Sequence, residues 1–146
     1  MKIALGSDHA GMLLSVDIGR HLSEAGHQVE DFGTYSEESV DYPDFAKKVA
    51  AAVTSGKAEL GILICGTGIG MSITANKIAG IRAAVCRTEF EAKMSRAHND
   101  ANILCIGQRV TGQGLAKEIV RAFIATPFEG GRHANRIAKI TALEKP

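Results

Sequence analysis

The stretch from Glu59 to Lys77 places a cysteine at the mouth of a glycine turn. Leu60 to Ile64 is a short apolar run, of a length that suits a strand covered on both faces. Cys65 ends that run, and Gly66, Gly68 and Gly70 alternate behind it. Met71, Ile73, Ala75 and Ile78 then follow at helix-compatible spacing. Strand, glycine turn and helix together aim backbone N–H groups and a helix N-terminus at an anion. A thiol beside such a turn is the chain's main chemical signal.

Spacing excludes several phosphate loops. A P-loop needs a second glycine where Met71 stands, and the dinucleotide fingerprint needs its third glycine at the same place. A phosphatase loop of cysteine, five residues and arginine fails there too. Two readings stay open on spacing alone. One is a tight turn under a packed helix, with Cys65 as a small buried hydrophobe. The other is a site for an anion or an enolate. Asp8, His9 and His98 lie beside strand ends, where such residues are often turn or cap groups. Arg132 and Arg136, four apart, share a helix face that is either a solvated basic surface or a clamp for one phosphate.

The elements that must position these residues alternate along the chain. Strands are predicted at Lys2 to Ser7, His27 to Phe32, Leu60 to Ile64, Ile81 to Cys86 and Asn102 to Ile106. Between them, Leu13 to Leu22, Phe45 to Val53, the segment after Gly70 and Glu89 to Ala97 read as helices. Leu115 to Ala125 is a further helix, and Gly130 to Arg136 opens a last one running towards Leu143. Thr34 to Tyr42 reads as a polar loop, with Pro43 near the following helix start. The alternation predicts an α/β fold, a five-stranded parallel sheet covered by helices on both faces, with an extra C-terminal helix. Ligands of such sheets sit beyond the carboxyl ends of the strands, where the winding reverses. If the strands before Asp8 and Cys65 are neighbours, both residues face one crevice. His98 and Asn99 lie between a helix and the strand it feeds, at the opposite edge. For His98 to act in that crevice, a second subunit must supply it, which predicts an oligomer.

The 146 residues fit one domain. Seventeen Lys and Arg against 16 Asp and Glu leave a net charge of +1, without the basic field that nucleic acid requires. The three cysteines, Cys65, Cys86 and Cys105, show no zinc-type spacing and read as reduced thiols. The chain starts on a strand pattern rather than a signal sequence, and no apolar run nears the roughly 18 residues of a membrane span. A soluble cytoplasmic protein is expected.

Six blocks then carry a resemblance. Gly6-Ser-Asp-His-Ala-Gly11, Asp41-Tyr-Pro43, Ile64-Cys-Gly-Thr-Gly-Ile-Gly70, Ala75-Asn-Lys77, Ser95-Arg-Ala-His-Asn-Asp100 and Gly130-Gly-Arg-His-Ala-Asn-Arg136 occur in one order along nearly the whole chain. Together they resemble the type B ribose-5-phosphate isomerases, a family that includes galactose-6-phosphate and allose-6-phosphate isomerases. The resemblance implies a three-layer Rossmann-like fold, a homodimer with shared active sites, often paired into a tetramer, and no metal or organic cofactor. It implies interconversion of ribose 5-phosphate and ribulose 5-phosphate, by ring opening and a cis-enediolate.

Residue by residue, Cys65 matches the family's base. A thiol with a free pKa of about 8.5 needs lowering for that task, and a helix N-terminus favours the thiolate. Some relatives use a glutamate in the glycine loop instead; here that position is Ile69, which cannot accept a proton. Gly66, Thr67, Gly68, Ile69 and Gly70 match the oxyanion cradle, with the Thr67 hydroxyl near both sugar oxygens. His98 matches the ring-opening acid, and Asp8 a group that holds sugar hydroxyls and assists at the ring. Arg132 and Arg136 match the phosphate clamp. His9, Asn99 and Arg109 match further ligand positions, and Tyr42 either lines the sugar pocket or packs as a loop aromatic. Cys86 and Cys105 read as core, while His21, His27 and His133 receive no role. A 6-phosphohexose isomerase and a non-catalytic sugar-phosphate binding protein are the alternatives.

Overall fold

Five parallel strands in the order β2-β1-β3-β5-β4 form one sheet in the computed structural model, which describes residues 1–144. In chain order these are β1 (Lys2–Ser7), α1 (Met12–Glu24), β2 (Gln28–Asp31), α2 (Tyr42–Thr54), β3 (Leu60–Cys65) and α3 (Ile69–Ala75). They are followed by β4 (Ala83–Val85), α4 (Glu89–Asn99), β5 (Ile103–Gly107), α5 (Gln113–Ala125), α6 (Arg132–Thr141) and a 3-10 turn at Ala142–Glu144.

β3 is buried along its whole length, and its side chains alternate between two cores. Leu60, Ile62 and Ile64 join Ile3, Leu5, Leu104 and Ile106 under α1 and α5. Leu63 and Cys65 turn the other way, to Val49 of α2 and Met71 of α3. These opposed cores produce the three layers. β1 and β3 are neighbours, with Ser7 paired to Ile64, so the turns after both strands open on one edge.

Element ends differ from the sequence reading where side chains intervene. The helix after the glycine turn starts earlier, at Ile69, and stops at Ala75 instead of reaching Ile78. Asn76 leaves it to exchange two hydrogen bonds with the Ala83 backbone, at 2.8 and 2.9 Å, mimicking a strand neighbour along β4. β4 itself shrinks from the expected Ile81–Cys86 to Ala83–Val85. α4 begins on a capping box between Thr88 and Glu91 and continues past Ala97 to Asn99. His98 and Asn99 therefore end a helix rather than follow one. Tyr42 is the first residue of α2 instead of the last of the loop.

Candidate active site

At the carboxyl edge of the sheet, the turns after β1, β3 and β5 surround a cleft of about 500 Å³. Cys65 stands at its base, 5% exposed. The Gly68 N–H donates to Cys65 Sγ at 3.1 Å, and the Ile69 N–H donates to Thr67 Oγ1 at 3.2 Å. The Thr67 hydroxyl thus keeps its own proton for another acceptor. Gly68 holds φ at 80°, a left-handed value that turns the chain sharply from β3 into α3. Gly70 lies so close to Tyr42 that a Cβ would overlap the Tyr42 ring.

Asp8 is buried, and its Oδ1 accepts from the Ala10 and Gly11 N–H groups at 3.0 and 3.1 Å. One carboxylate oxygen is thereby fixed, which sets the direction of the other. His9 Nδ1 accepts from the Val40 N–H at 3.1 Å, so a neutral ring carries its proton on Nε2. The Arg109 side chain lies directly over Gly66, and the Arg109 backbone N–H donates to Gly66 O at 3.0 Å. Asp8, His9, Tyr42, Cys65, Gly66, Thr67, Ile69, Gly70 and Arg109 all border this cleft, with Gly68 buried beneath its floor.

The remaining four predicted residues lie elsewhere. His98 and Asn99 end α4 just before β5 begins, at the amino edge of the sheet. Arg132 and Arg136 sit on α6, which packs against α4, and both are exposed. The His98 ring stacks on that of His133, with centroids 4.2 Å apart and 12° between planes. Glu129 faces both rings. Burial, then the charges of His98 and Arg132, hold the His133 imidazole below its usual pKa, against an opposing pull from Glu129.

His98, Glu129 and His133 bring three possible metal-ligand atoms within 4.8 Å of one another. Parallel rings aim their lone pairs side by side rather than at one centre, and the arginines of α6 suit an anion better. Glu129 and His133 were given no role from sequence. Their separation of four residues, ending inside the arginine block, is the signal that was available.

Burial pushes the other thiols up, Cys86 to about 11 and Cys105 well above its ordinary value, the latter helped by Cys65 and Cys86. Both belong to the core, as expected. Another cavity, about 670 Å³, opens along β4 between Asn76, Arg82 and Ile140. It contains Asn99 but no member of the Cys65 group. No helix among the described residues is long and apolar enough to cross a membrane.

A family model described as Ribose/Galactose Isomerase matches residues 3–140. The chain is 54% identical over 144 residues to ribose-5-phosphate isomerase B of Escherichia coli, covering 99% of this chain and 97% of that one. It is 43% identical to D-erythrulose-4-phosphate isomerase of Pectobacterium atrosepticum, over 99% of this chain and 95% of the relative. Among solved structures, ribose-5-phosphate isomerase B of Clostridium thermocellum superposes with a TM-score of 0.98 at 56% identity, covering 99% and 97% of the two chains.

Proposed function

The chain belongs to the ribose/galactose isomerase family, and from that premise we propose that it interconverts ribose 5-phosphate and ribulose 5-phosphate in a site built from two copies of the chain. The observation that carries this reading is the sulfur of Cys65, set at the base of a cleft with an amide N–H aimed at it and Arg109 alongside.

The reaction moves a proton between adjacent carbons. In ring opening Asp8, which holds the hydroxyls, accepts the proton of the anomeric hydroxyl, and His98 as acid delivers one to the ring oxygen. The Cys65 thiolate then takes the proton from the carbon beside the aldehyde. Negative charge grows on the carbonyl oxygen, and donors of the 66–70 loop and the Thr67 hydroxyl receive it. The proton of the C2 hydroxyl passes to the C1 oxygen through the Thr67 hydroxyl between them, and Cys65 returns its proton to C1, giving the ketose. The phosphate is held by Arg132 and Arg136 of the second copy, with His9 and Arg109 beside it. Sharing is required because the two groups occupy opposite edges of one sheet. α6 suits burial between copies: only His133 is buried within the chain, and Ile140 stays 45% exposed.

The test is a coupled assay of ribose 5-phosphate, allose 6-phosphate and galactose 6-phosphate on wild type and Cys65→Ser. Ribose 5-phosphate should be the preferred substrate. The variant should lose at least about 100-fold in turnover while still binding the sugar phosphate. Near-normal turnover in Cys65→Ser would remove Cys65 from the base role, and a wild type that binds without turning over would leave only a binding protein.

A further inference from the structure

Two imidazoles lie face to face at the amino edge of the sheet, and only one has been given a task. His98 keeps 38% of its side chain exposed, whereas His133 keeps 7%. Glu129 Oε2 lies 3.5 Å from His133 Nε2 and 3.9 Å from His98 Nε2. The Glu129 N–H donates to Ala97 O at 3.1 Å, tying its segment to the turn of α4 that carries His98. We propose that His133, backed by Glu129, is a positioning residue for His98, giving the exposed ring a flat floor and a fixed edge from which to meet the sugar. This rests on the role given to His98 above.

An exposed imidazole otherwise samples several rotamers, and fixing it in advance removes an ordering cost from the reaction. Charge favours the same division of labour. Two imidazolium rings this close would repel, so the stack holds one proton more readily than two. Burial and the positive charges of His98, Arg132 and Arg136 oppose protonation of His133, with Glu129 pulling the other way.

A double-mutant cycle on ribose 5-phosphate turnover tests this, using His98→Asn, His133→Ala, Glu129→Gln and each of the latter two combined with His98→Asn. His133→Ala should lower kcat about tenfold and Glu129→Gln about threefold, with KM nearly unchanged, as fractions of the 100- to 10,000-fold that a general acid contributes. Both losses should disappear in the His98→Asn background, because a residue acting through another adds nothing once that other is gone. Glu129 is exposed, so its cycle decides the matter even if His133→Ala folds poorly. Losses that multiply in the double variants overturn the inference, as does unchanged turnover in both single variants. Full turnover in His98→Asn alone would instead overturn the role of His98 itself.

Discussion

Three thiols lie in or beside one sheet, and their surroundings separate them. Cys105 and Cys86 are buried, and burial makes forming a thiolate costly. Cys65 ends its strand at a cleft, with the Gly68 amide against its sulfur. His133 supplies a residue-scale prediction with a definite sign. Its imidazole is held below the usual value in the folded chain. As pH falls through about 6.5, the unfolded chain takes up a proton that the folded chain declines, so stability falls. Urea unfolding at pH 7.5 and pH 5.5 should show a larger loss on acidification for wild type than for His133→Asn. Equal losses in the two proteins would contradict that origin.

Among the elements, α3 matters most, because its first turn is part of the site. Gly70 lies inside this helix, where alanine is the better helix former by up to about 1 kcal/mol. Gly70→Ala should therefore leave the melting temperature nearly unchanged. Its new Cβ must push away the Tyr42 ring, which is 38% exposed and free to swing. We expect kcat/KM for ribose 5-phosphate to fall about tenfold, the scale of effect that a small misplacement in a preorganised site produces. An unaltered kcat/KM would show that Tyr42 has no part in the pocket. The strands were legible because β3 is apolar throughout and β1 ends at a polar turn. The ends of α3 and α4 were not. Asn76 bonds sideways to β4, and α4 closes on Asp100, whose left-handed φ of 43° is held between Arg82 and Arg96. Those are tertiary contacts that helix periodicity does not record.

At the scale of the molecule, the sheet places the cysteine group at one edge and the His98 group at the other. That separation was readable from sequence, since His98 precedes the strand it feeds while Cys65 ends its own. The stack of His98 on His133 was not readable, because it depends on α6 folding back against α4, with β5 and α5 between them in sequence. On the function proposed above, a site divided in this way is complete only when two chains exchange halves, and in a two-fold dimer each site then takes one half from each subunit. Mixing Cys65→Ala subunits with His98→Ala subunits tests this directly. Neither variant alone should be active, and each mixed dimer should regain one intact site of its two. Confirmed mixed dimers with no recovered turnover would contradict it.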